Sequence, residues 1–131
     1  MSERSAKERW AEWALRVGIA GEFFGHGAFA LLAAPEFSQI LERLFAVDTA
    51  LAASLLRVFG ILDLCIAVLV LVRPLQAVLL WATAWGFLTA IARPLSGLSW
   101  WAFVERGTNW AAPLALLLLR GWPRARRDWL A

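Results

Sequence analysis

Glu22 and His26 stand four residues apart inside an apolar stretch, Gly18–Pro35, that reads G-I-A-G-E-F-F-G-H-G-A-F-A-L-L-A-A-P. At i, i+4 both side chains project from one helix face. A carboxylate beside an imidazole can hold a proton, exchange one, or bind a polar group. Charge in hydrocarbon is costly, so an ionisable pair within a membrane span marks a functional site by default. Gly18, Gly21 and Gly25 line a neighbouring face, where the sequence predicts close approach of another backbone.

Other polar residues fall at matching depths. At a rise of ~1.5 Å per residue from the middle of each apolar stretch, Glu22, Asp63 and Asn109 land near mid-bilayer. His26, Arg57 and Glu105 land several ångströms toward the outer face, with Arg93 at the outer mouth and Arg106 near the level of Glu105. The expected ligand-binding set is therefore Glu22, His26, Arg57, Asp63, Arg93, Glu105 and Asn109. Three carboxylates (Glu22, Asp63, Glu105) face three arginines (Arg57, Arg93, Arg106), and buried charges are expected to pair. Arg57 is expected to be the central cation, paired with Glu105 or Glu22. Arg106 has a second option, to snorkel outward.

Weaker chemistries are set aside on spacing. Glu22-x-x-x-His26 is not the Glu-x-x-His of di-iron bundles, and with one histidine no metal site is expected. Ligation of haem or chlorophyll by His26 is disfavoured, because a buried histidine is more often a hydrogen-bonded structural residue. The lone Cys65 excludes an intrachain disulfide and is expected to pack as a small hydrophobe. No phosphate-binding glycine loop or CxxC is present. The runs A-V-L-V-L-V and L-A-L-L-L-L, at the inner ends of the second and fourth apolar stretches, carry no charge. That argues against a continuous proton or ion path.

The elements that must position these groups are helices in a membrane. The chain is 61% hydrophobic with a mean hydropathy of +0.64, where a soluble domain runs nearer ~45–50% apolar. Spans are predicted at about Ala14–Ala34, Thr49–Val72, Leu75–Ala92 and Trp100–Leu119, the last kinked at Pro113. Ser2–Glu12 reads as a short interfacial amphipathic helix, and Glu36–Asp48 as another, with Phe37, Ile40, Leu41, Leu44 and Phe45 at helical spacing. The tripeptide Arg-Pro-Leu at 73–75 and again at 93–95 marks turns, and Ser96–Ser99 a short connector. Domains follow: residues 1–13 an interfacial segment, 14–120 a four-helix transmembrane domain, 121–131 a basic tail. The expected fold class is an all-α membrane protein, four transmembrane helices in an up-down-up-down bundle with short interfacial helices.

Lys and Arg collect at Arg4, Lys7, Arg9, Arg73, Arg120, Arg124, Arg126 and Arg127. They predict both termini in the cytoplasm of a bacterial-type inner membrane rather than nucleic-acid binding. The opening M-S-E-R-S-A-K-E-R-W is charged in both signs and no A-x-A-like site follows in a suitable place, so the first span is expected to remain. The nine tryptophans read mainly as interface anchors, Trp100 and Trp101 on the outer surface.

In size, in its four-span layout, in G-E-F-F-G-H-G of the first span and in L-L-R-V-F-G-I-L-D-L of the second, the chain resembles the DoxX-like group of small four-helix membrane proteins. The likeness runs from about residue 14 to 120. It implies association with membrane redox systems, in some members with quinone-linked oxidoreductases, and assigns no catalytic residue. The leading expectation is an accessory protein, not an enzyme, that binds a quinone-like or lipid-like molecule. Quinone is the one cofactor it suggests, and the expected partners are the lipid bilayer and a larger redox complex or further copies of the chain. The alternatives are a structural subunit or assembly factor whose buried ion pairs only fix helix register, and a small intramembrane enzyme using Glu22, His26 or Asp63 as acid or base.

Overall fold

Local signals in the sequence set the helix boundaries in the computed structural model, which describes residues 5–131; the first residues of the expected N-terminal amphipathic segment, with Arg4, lie outside the described residues. Ser5 and Glu8 form a reciprocal cap: the Ser5 hydroxyl accepts from the Glu8 N–H at 3.2 Å, and the Glu8 carboxylate accepts from the Ser5 N–H at 2.9 Å. From that cap α1 runs unbroken over Ala6–Leu31. The separate interfacial helix expected before Trp13 is therefore continuous with the first span. At 26 residues α1 is ~39 Å long, more than the ~30 Å a hydrocarbon layer requires.

Pro35 opens α2, Pro35–Phe45, at 79° to α1, and Ala33 and Ala46 on either side of it take left-handed backbone. The Asp48 carboxylate caps α3, Thr49–Val72, by accepting from the Leu51 N–H at 2.8 Å. Pro74 separates α3 from α4, Gln76–Leu95. The fourth apolar stretch is interrupted at Glu105–Arg106 into a single turn, α5 (Trp101–Val104), and α6 (Gly107–Arg120). The helix continues through Pro113, and the break lies ahead of Gly107. Gly107 just after the break, a poor helix former, is a local reason for it.

Among the described residues the fold is all-helical, without strands. α3 and α4 are each long and apolar enough to cross a membrane, and α1 with α2 makes a third such segment if the bent pair is one span. α6 on its own has only 14 residues, ~21 Å.

α1 packs most extensively on α3, and α4 on α6; α1 also meets α6. Gly27 and Gly60 let α1 and α3 touch, since a Cβ on either would come within 2.9 Å of the other's carbonyl. Gly86 does the same for α4, with the Asn109 carbonyl of α6 directly over it. Gly18, Gly21 and Gly25 were the expected close-packing positions, but they face open space. A small residue permits approach only where its azimuth meets a neighbour.

One apolar core joins Ile19 and Phe23 of α1, Ile66 and Val70 of α3, Leu79 of α4 and Leu116 and Leu117 of α6; a smaller one joins Ala30, Leu41, Ala52 and Leu56. Beyond the larger core the chain ends are tied together. Buried Glu12 accepts from Arg120 Nη1 at 2.7 Å, and Arg16 donates to the carbonyls of Val70 and Leu71. Gln76 Nε2 donates to the Gly121 carbonyl at 2.7 Å, and the Gln76 N–H to that of Ala131 at 3.3 Å. In the tail, N–H donors of Arg124 and Ala125 hold the Asp128 carboxyl below its ordinary range.

Candidate functional site

Between the two apolar cores lies a cavity of about 360 Å³. α1 contributes Glu22, Phe23, His26 and Ala30 to its wall, and α3 contributes Leu56, Phe59 and Asp63. α4 adds a face from Trp85 to Leu95, and Arg106 and Asn109 close the side formed by α6. The apolar face of α2, Phe37, Ile40, Leu41, Leu44 and Phe45, covers it.

The helical repeat explains the choice of residues. On α3 the buried face runs Ala52, Leu56, Gly60, Asp63, Ala67, Val70, so Asp63 shares a stripe with the packing residues. Its Oδ1 accepts from Trp85 Nε1 at 3.0 Å, and the Trp85 ring lies 5.0 Å from Phe59 and stacks on Trp81 at 6.0 Å. Glu22 and His26 fall on the inward side of α1, with Glu22 Oε1 3.7 Å from His26 Nδ1, beyond hydrogen-bond reach, and the imidazole against Phe37. Arg93 pairs with Glu36 at the start of α2, and its guanidinium lies 5.6 Å from the Phe37 ring centre. Arg43 adds a weak second tie from α2 to the Ser96 carbonyl at 3.4 Å. Arg106 pairs with Glu105 and donates to the Ala102 carbonyl at 3.0 Å.

Three polar residues of the wall are more than nine-tenths buried: Asp63 at 6% exposure, Arg93 at 5% and Asn109 at 7%. Arg93 is paired and Asp63 has one donor. The Asn109 side chain has no hydrogen-bond partner among the described residues, so its amide is free toward the cavity.

Of the seven expected residues, the fold brings Glu22, His26, Asp63, Arg93 and Asn109 to one cavity. Arg57 is not among them. It is exposed, one residue and so ~100° round from buried Leu56, and the cluster has no central cation from α3. Glu105 is also outside, its side chain 66% exposed, because the break before α6 turns it away and leaves it to pair with Arg106. Cys65, expected to pack as a small hydrophobe, is exposed on α3.

Glu36, Arg106, Trp85 and the cover formed by α2 complete the site beyond the expected set. The helical spacing of Phe37, Ile40, Leu41, Leu44 and Phe45 was the available signal for the cover. An amphipathic helix can bury such a face on protein as well as on lipid. Among the described residues no three His, Cys, Asp or Glu side chains gather as a metal site needs. Mostly apolar walls with a few convergent polar groups, at a volume within the roughly 300–1,000 Å³ of small-molecule pockets, suit an amphipathic ligand. No protein-family profile matches the sequence, and comparison with curated proteins and with solved structures finds no match.

Proposed function

We propose that this chain is a four-span protein of a bacterial-type inner membrane that binds an amphipathic small molecule, quinone-like or lipid-like, in the cavity under α2. Its role in this reading is accessory to a membrane redox system. α1, α3 and α4 supply three spans, and α5 with α6 the fourth, broken at Glu105–Arg106. The perpendicular α2 rests at the surface with its polar side, Gln39, Glu42 and Arg43, toward water and its apolar side over the cavity.

The carrying observation is a mostly apolar cavity in which buried Asp63 and Asn109 lie beside half-buried Glu22 and His26, with the paired arginines Arg93 and Arg106 also in its wall. Burying such groups without a ligand or a complete set of partners is unfavourable. The DoxX-like resemblance adds the redox association. Its two segments contain the cavity residues Glu22, His26 and Asp63 together with Arg57, which lies outside the cavity, and the resemblance assigns none of them a role.

Organic extraction of protein purified in mild detergent, followed by mass spectrometry, tests the reading. A near-stoichiometric amphiphile is expected with the native chain and a strongly reduced amount with Ala92→Trp, whose indole fills the cavity. Equal amounts in both, or none in either, would refute binding at this site.

A further inference from the structure

The balance of charge around the cavity separates one ligand class from the rest. Its two arginines are already neutralised from the rim: Arg93 by Glu36 and Arg106 by Glu105, carboxylates whose side chains are 57% and 66% exposed. What remains facing the cavity is acidic. Among the described residues, Glu22 has His26 at 3.7 Å as its ion partner, and Trp85 donates to Oδ1 of Asp63 and not to Oδ2. The buried Asn109 amide, without a side-chain hydrogen-bond partner among the described residues, adds a further acceptor oxygen. Glu22 and Asp63 are therefore the carboxylates of the wall that no arginine among the described residues pairs with, and a cationic head would balance them.

Resting on the small-molecule reading above, we infer that the ligand is a single-chain amphiphile with a protonated primary amine head, seated among Glu22, Asp63 and Asn109. An alkylammonium brings a positive charge and three N–H donors to these carboxylates; a quinone carries no charge and offers only acceptors. Contacts between an ammonium and carboxylates are charge-assisted and about twice as strong as neutral ones. The Trp85 and Phe59 rings beside Asp63 add faces that attract a cation. The tail has a route out, because the α4 wall continues to Leu88 and Leu95, which are cavity-lining and yet exposed on the outer surface.

The test uses the full chain in phosphatidylcholine nanodiscs at neutral pH, with protein-free nanodiscs as the blank, and calorimetric titration of hexadecylamine, hexadecanol, hexadecanoate and a decyl-benzoquinone. The amine is expected to bind about tenfold or more tightly than the alcohol, and Glu22→Gln and Asp63→Asn are each expected to reduce it to the alcohol's level while the alcohol still binds. Alcohol, fatty acid or quinone binding as tightly as the amine would overturn the inference and leave the cavity reading in place. So would an amine preference that survives both substitutions. If a variant does not fold, the amine-to-alcohol ratio of the native chain decides alone. Binding of none of the four compounds would refute the cavity reading itself, and this inference with it.

Discussion

Among the described residues a single donor serves Asp63. The indole N–H of Trp85 reaches its Oδ1, and no other hydrogen bond to the carboxylate exists among the described residues. Asp63 is otherwise surrounded by a helix face made for packing, so the two residues form one unit. Trp85→Phe keeps a ring against Phe59 and Trp81 but removes the donor, and an unsatisfied buried acceptor costs about 1–3 kcal/mol. Asp63→Leu in the same chain removes the group left unsatisfied. The double variant is expected to recover most of the loss, a non-additivity that thermal unfolding of the four proteins in detergent measures as a double-mutant cycle. Losses that simply add would show that Trp85 and Asp63 are energetically independent.

Close helix contacts in this chain rest on three glycines out of several, Gly27, Gly60 and Gly86. Gly86→Ala would drive a Cβ into the Asn109 backbone, which cannot yield without separating α4 from α6. A loss of at least about 1–3 kcal/mol is expected from overpacking of this kind. Gly25→Ala, at a site with open space around the new Cβ, is expected to be neutral or to stabilise by up to about 1 kcal/mol through helix propensity. Comparing the two unfolding temperatures tests the packing directly, and a Gly86→Ala protein as stable as the native one would place the α4–α6 contact elsewhere. α2 is the helix that covers the cavity. It is fastened near the cavity mouth by Glu36–Arg93 and Arg43–Ser96, and left-handed alanines flank both its ends.

For the whole molecule the proposed arrangement has a direction. The end tied by Glu12–Arg120, Gln76–Gly121 and Arg73–Leu130 gathers the first helix, the α3–α4 turn and the basic tail. In the proposed topology that end faces the cytoplasm and the cavity opens in the outer half, following the excess of Lys and Arg. An alkaline phosphatase fusion after Ala131 is expected to be inactive, and one inserted at Gly97 active. Activity of the C-terminal fusion together with silence at Gly97 would invert the molecule and put the cavity in the inner half.

Much of this was legible in the chain itself. Hydropathy and local breakers are properties of neighbouring residues, so Asp48, Pro74 and the apolar run between them bound α3 at Thr49–Val72, as expected from the sequence. Depth follows from residue count, since each helical residue advances a fixed rise, and that put Glu22, Asp63 and Asn109 near mid-bilayer with His26 and then Arg93 outward of them before any contact was known. Azimuth does not follow from counting. Each residue turns the side chain ~100°, and only the packing of α3 on α1 at Gly27–Gly60 decided that Asp63 looks inward while Arg57 looks out. Tertiary structure alone likewise folded α2 back over the cavity, pairing Arg93 with Glu36 across 57 positions of sequence. It also turned Glu105 away at a break between two short helices, because the partner that satisfies a buried charge is chosen by proximity in space.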